Sequence, residues 1–312
     1  MKLLQFSLIP MFALALAGCG GGNKAETLQP GETLCVMAST PHLASLAMAI
    51  AGEDAKVDML IAEGSSPHSW QPSISDRRRI QESHLLLING LALESWDAPK
   101  LAGDAGVTLV NCSAGIEESW LFSEEEESEH HEEHDHEGHD HGEHNPHVWL
   151  SVEGAIKQAE AIAKAMMESD PGHATGYKSR LAALRESLQA LRAEYEPKLK
   201  LLTKRRFVSN HDAFPYFARE FGLEQVGVIQ RTPGSNPTIA ERREIENTLK
   251  EGKADAIFME PGFDDAASRA IAESSGLPLA VLDPFGVGKP APDALQAVLR
   301  KNLETVLKTL GD

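Results

Sequence analysis

Eight short apolar runs, each followed by a stretch of different periodicity, divide this chain into two similar halves. The first half carries "TLCVMAS", "KVDMLI", "HLLLING" and "VTLVNC"; the second carries "RFVSN", "QVGVIQ", "DAIFME" and "LAVLD". Each run has strand length and aliphatic content. The segments between them have helical spacing. Leu43, Leu46, Ala47 and Ile50 share one face, with Gly52 as the stop. A short helix near 75–81 and another from 91 to about 101 complete the first half. Helices from Asp212, from Thr238 to about Lys250, from Asp264 and from Pro292 follow in the second, with Asn236 and Pro237 suiting a cap and first turn. Strands joined by helical crossovers make parallel sheets buried on both faces. The pattern therefore predicts an α/β protein of two lobes, each a roughly four-stranded parallel sheet flanked by helices. No residue-level repeat relates the halves.

Midway along the chain the pattern changes. Ile156, Ala159, Ala163 and Met166 mark one helix that ends before Pro171. Leu181, Leu184, Leu188, Leu191 and Tyr195 then repeat at spacings of three and four, and Pro197 limits the regular part. From about His173 this gives roughly 24 residues and ~36 Å, the width of a lobe. The spacing fits one more packed helix or a spine joining two lobes, and the central position favours the spine. The expected organisation is an N-terminal α/β lobe over 32–172, a linking helix over 173–203 and a C-terminal α/β lobe over 204–312.

The first residues read as an export signal. Lys2 precedes an apolar run from Leu3 to Ala17, too short for a membrane span and ending in small residues. Leu16, Ala17 and Gly18 before Cys19 resemble a lipobox. That resemblance implies cleavage after residue 18, lipidation of Cys19 and a flexible tether over 19–31. A membrane-anchored protein on the periplasmic or cell-surface face follows; the alternative is a plain signal peptide. Cys35 and Cys112 lie in apolar runs, where a disulfide or two buried thiols both fit. Neither has the spacing of a thiolate metal site.

Charge is concentrated in one place. The chain has a formal charge of −18, which argues against nucleic acid. Glu124 to Glu143 carries eleven acids and no Lys or Arg. Interleaved with them, and just after them, stand His130, His131, His134, His136, His139, His141 and His144. A segment this polar has too little apolar content to offset its ordering entropy, so 123–144 is expected to be a disordered loop. Its imidazoles and carboxylates offer many overlapping metal sites, each weaker than a preformed one.

Ligands of open parallel sheets gather at the C-terminal ends of strands. Four candidates sit at or soon after such ends: His68 in "GSSPHSWQPS", His147 in "NPHVWL" at the end of the acidic loop, His211 in "VSNHDAF" and Asp283 in "VLDPFG". Two come from each half, so a cleft between lobes can bring them together. Three imidazoles and one carboxylate make a tetrahedral set, and imidazole suits zinc, copper and nickel. Trp70 and Trp149, beside two of the histidines, fit either a water-excluding shell or ordinary core. His42 lies near the cleft mouth; His84 and His173 read as structural.

The segments "GSSPHSWQPSISD", "INGLALESW", "NPHVWLS", "NHDAFPYFAREFGL", "FMEPGF" and "VLDPFG" occur here in a familiar order. From about Thr33 to the C-terminus the chain resembles the metal-binding lipoproteins and periplasmic proteins of ABC transporters. Within them it is most similar to the ZnuA-like zinc-uptake branch of the TroA-like superfamily. The resemblance implies that His68, His147 and His211 bind the metal, with Asp283 as fourth ligand. Manganese-binding relatives typically have glutamate where this chain has His211, so the third histidine points to zinc. The family's usual acid before "PH" is replaced by Ser66, and Glu63 is the nearest acid. The implied role is an extracytoplasmic receptor that delivers Zn2+ to an ABC permease, acting as a monomer. A manganese receptor, a surface adhesin or a metal buffer working through the loop are the alternatives. A zinc hydrolase with Glu260 as general base is the remaining one, without an HExxH or GxSxG motif to support it.

Overall fold

Strand β1 (Leu34–Ala38) is buried at every position, and β3 (Leu85–Ile88) beside it likewise. They form the centre of a four-stranded sheet, flanked by β2 (Ala55–Met59) and β4 (Thr108–Asn111) in the order β2-β1-β3-β4. The second half repeats this plan. Strands β5 (Arg206–Ser209), β6 (Glu224–Val228), β7 (Ala256–Met259) and β8 (Leu279–Val281) run in the order β6-β5-β7-β8. Every pairing in both sheets is parallel. The protein is therefore the two-sheet α/β architecture that the apolar runs predict. The structure, a computed structural model, describes residues 28, 31–62, 64–123, 144–230, 238–261, 266–284 and 289–311. Cys19, Glu63, His130, His131, His134, His136, His139, His141 and the Asn236–Pro237 cap lie outside the described residues. Among the described residues no helix is long and apolar enough to cross a membrane.

The crossovers are α1 (Pro41–Ala51), α2 (Ile74–Gln81) and α3 (Ala98–Ala105) in the first half. In the second they are α6 (Pro215–Phe221), α7 (Ile239–Lys250) and α8 (Ala266–Ser275). Between the halves run α4 (Val152–Ser169) and α5 (Ala174–Lys200), and α9 (Ala294–Leu310) closes the described chain. Gly52 ends α1 at φ 55°, a backbone state that L side chains rarely adopt.

Two helix expectations differ from the structure. The helix expected from residue 91 starts at Ala98 instead. Leu91 and Ala92 sit at φ 54° and 55°, in the left-handed region. Half-buried Glu94 holds this turn: its carboxylate accepts from Asn89 N at 2.7 Å, Gly90 N at 3.1 Å and Ser39 Oγ at 2.6 Å. The helix then begins where Asp97 caps Lys100 N and Pro99 fits the first turn. The second difference is Pro197, which lies inside α5. The helix runs on to Lys200 and buries Leu199 completely. That apolar burial offsets the backbone hydrogen bond that proline cannot donate.

Helix α5 has 27 residues, about 40 Å at 1.5 Å each. Its buried stripe, Leu184, Leu188, Leu191, Tyr195 and Leu199, joins one apolar cluster that runs through both halves, from Leu34 and Val36 to Phe207, Phe258 and Leu303. Helix α9 returns to the first half, where Leu295 N donates to Ser45 Oγ of α1. A shared core of this kind opposes hinge motion between lobes. Cys112 is a free, buried thiol, so the bond considered between Cys35 and Cys112 is not formed.

Candidate metal centre

Three of the four strand-end candidates converge. His68 lies in the turn after β2, where Ser69 N and Trp70 N both donate to Ser66 O. His147 precedes a single 3-10 turn, Val148–Leu150, whose carbonyl at Val148 accepts from Ser151 Oγ. Ser151 in turn caps α4 by accepting from Gly154 N at 3.0 Å. Gly154 is required there, because a Cβ would run into the Val148 carbonyl and Ser151 Oγ. His211 follows β5 directly; Ser209 Oγ donates to its carbonyl at 2.8 Å. His147 and His211 are each only 2% exposed, and His68 is half-buried.

One ring nitrogen from each of the three histidines lies within 4.8 Å of the other two. His147 Nε2 is central, 3.3 Å from His68 Nε2 and 3.2 Å from His211 Nε2. Two Zn–N bonds of about 2.05 Å at a tetrahedral angle would place their nitrogens about 3.3 Å apart. The protons are also arranged for a cation. Asn145 Oδ1 accepts from His147 Nδ1 at 3.1 Å, and the Glu260 carboxylate contacts His211 Nδ1 directly. Both partners act as acceptors, so each ring carries its proton on Nδ1 and turns a lone pair inward at Nε2. Burial, first, and then the neighbouring His211, His68 and His42 rings push His147 well below the usual imidazole range. A neutral imidazole is the form that binds metal.

Asp283 is not part of this cluster. It is buried behind the end of β8, where Asn302 of α9 fixes its backbone: Asp283 N donates to Asn302 Oδ1, and Asn302 Nδ2 donates to Asp283 O. It lines a cavity of about 490 Å³ together with His42, Lys289 and Lys301. Trp149 is fully buried, its ring 5.2 Å from that of His147. Trp70 instead packs edge-on against Trp96 in the first half. His144 closes the acidic segment: it pairs with Ser123 in an isolated antiparallel bridge, so the ends of 123–144 are fixed by backbone pairing. His84 and His173 have structural partners, Cys35 N and Asp170 respectively. Asn145 and the holding role of Glu260 were not apparent from sequence. Asn145 stands in the same "NPH" segment as its histidine, and Glu260 ends a strand, which are the only local signals.

His42 stacks on Trp149 with ring centroids 3.8 Å apart, and burial lowers its pKa to about 3, partly offset by Asn89. An unfolded imidazole titrates near 6.5. Below that pH the unfolded chain takes up a proton that native His42 refuses, so stability falls as pH falls, by about 1.4 kcal/mol per pH unit. The loss ends near pH 3, where native His42 also protonates. Urea titrations of metal-free protein between about pH 4 and 7 should therefore show a shallower dependence for His42→Leu, by about one proton. Identical slopes would contradict the buried neutral state.

The family described as zinc-uptake complex component A, periplasmic, matches residues 36–309. The high-affinity zinc uptake system protein ZnuA of Bacillus subtilis is 30% identical over 304 residues, covering 95% of this chain and 94% of that protein. The zinc-binding lipoprotein AdcA of Streptococcus pneumoniae is 29% identical over 99% of this chain, which spans 61% of the length of that relative. Among solved structures, a Zn(II)-bound mutant variant of AdcAII from Streptococcus pneumoniae superimposes with a TM-score of 0.77 at 25% identity, over 90% of this chain and all of that one.

Proposed function

The chain belongs to the zinc-uptake complex component A family, and from that membership we propose that it is an extracytoplasmic receptor that captures Zn2+ and passes it to an ABC permease. The observation that carries the metal reading is the approach of His147 Nε2 to within 3.2–3.3 Å of the Nε2 atoms of both His68 and His211. His68, His147 and His211 are the proposed ligands, and Asp283, brought in from the end of β8 when the cation arrives, is the proposed fourth. Three imidazoles favour zinc over manganese or magnesium, which prefer oxygen donors. With Asp283 as fourth donor the set would be closed, and a closed set suits capture rather than catalysis. Glu260, the base a hydrolase would need, is engaged with His211 Nδ1. Export and lipidation at Cys19 follow the lipobox and the lipoprotein relative.

The histidine-rich segment is proposed to collect zinc near the cleft, acting over roughly a Debye length of 8 Å. Deleting residues 124–143 separates the receptor from the buffer. Titration of the metal-free deletion protein should retain one tight zinc per chain and lose only the weaker binding. Loss of the tight site with the segment would hand the main role to the segment.

A further inference from the structure

Asn145 lies 3% exposed between the two ends of the acidic segment and the metal centre, and every polar group it owns is used. Its backbone N donates to Phe122 O at 2.9 Å, and its carbonyl accepts from Tyr216 Oη at 2.8 Å. Tyr216 Oη also accepts from Phe122 N at 3.1 Å, closing a ring of bonds around the base of the segment. The side chain faces the centre. Oδ1 accepts from both N and Nδ1 of His147, each at 3.1 Å. Nδ2 donates to the carbonyl and to Oδ2 of Asp212, each at 2.8 Å. Asp212 is the neighbour of His211 and is itself held at Oδ1 by Gln225 Nε2, at 2.6 Å. One amide thus ties a ligand from the first half to the residue beside a ligand from the second.

We propose that Asn145 is a positioning residue for the metal centre: its Oδ1 fixes the tautomer and tilt of His147, while its Nδ2 ties the segment to Asp212 and braces the fold. The two bonds have separable consequences. Loss of the acceptor frees the His147 ring to rotate or to protonate at Nε2, which weakens the metal. Loss of the donor unties the two segments, which weakens the fold. Partners of this kind typically contribute about 10–100-fold in metal affinity. The inference rests on the reading of the three histidines as the zinc site.

Chelator competition with Zn2+, and the ligand-field spectrum of the Co2+ form, test it on the full chain. Asn145→Ala should bind Zn2+ about 10–100-fold more weakly and shift the Co2+ bands. Asn145→Asp keeps an acceptor for His147 Nδ1 but sets a carboxylate beside Asp212. It should lower the melting temperature of the metal-free protein yet keep zinc affinity within about threefold of wild type, well short of the loss expected without the acceptor. Asn145→Ser retains the backbone bonds to Phe122 and Tyr216 and replaces the alanine variant if that one does not fold. Unchanged affinity in Asn145→Ala or Asn145→Ser overturns the proposal. So does an Asn145→Asp protein as weak as the alanine variant, because the acceptor would then be irrelevant. A parallel His147→Ala sample separates the two readings. If it keeps tight zinc binding, the site assignment fails; if it loses zinc while Asn145→Ala does not, the positioning role alone fails.

Discussion

Replacing His147 with alanine should weaken zinc binding by about 10²–10³-fold. Structural zinc sites are worth about 10–16 kcal/mol over four ligands, or about 2.5–4 kcal/mol per ligand, and 1.4 kcal/mol is a factor of ten. His147 should stand at the upper end of that range. Its Nε2 is the one that approaches both other histidines, at 3.3 and 3.2 Å. It is also 2% exposed, so water can replace the lost donor only by entering a buried space. His68 is half-buried, and a water can take its place more easily, so His68→Ala should cost less. Competition against a chromophoric chelator measures both. A His147→Ala protein within about threefold of wild type, with the fold intact, would remove His147 from the site. Equal losses for the two variants would mean that burial does not rank the ligands.

The candidate centre was legible because strand ends in a parallel sheet follow from chain order alone. Short apolar runs fix where each strand stops, and a histidine just past "RFVSN" must then stand at a sheet's edge. The convergence of His68 and His211 follows the strand ends of two sheets with matching orders, β2-β1-β3-β4 and β6-β5-β7-β8, whereas His147 is presented by the segment before a 3-10 turn. What stayed hidden depends on specific side-chain bonds and on tertiary burial, which periodicity does not register. Glu94 overrides the helical periodicity after Leu91 by accepting bonds from Asn89 and Gly90, and no propensity scale registers such a bond. Pro197 reads as a stop, yet Leu199 behind it finds a fully buried position. Glu260 meets His211 across 49 residues, and Asn145 meets Asp212 across 67. Asp283 shows the opposite limit. Its place at a strand end is correct, but the bonds with Asn302 of α9 decide where it sits, and they come from a helix that the strand pattern does not describe.

Trp149→Ala should destabilise the metal-free protein by about 3–5 kcal/mol, as for other large aromatic truncations in a packed core. The ring is 0% exposed and belongs to the cluster shared by both halves. Two further interactions leave with it. The face stacked on His42, at 3.8 Å and 8° between planes, disappears. So does the bond from Nε1 to Pro284 O at 2.7 Å, which ties the segment after His147 to the residue after Asp283. Trp149→Phe separates these contributions. It keeps an aromatic face for His42 but leaves the Pro284 carbonyl without its donor, which should cost about 1–3 kcal/mol. Urea denaturation near pH 7 reads both. The metal should report the same tie: with Pro284 released, Asp283 loses one of its restraints, so Trp149→Phe should also weaken zinc binding although the ring never touches the ion. A loss of stability without any change in affinity would confine Trp149 to the core. A change in both would make the bond to Pro284 part of what readies Asp283 to join the cation.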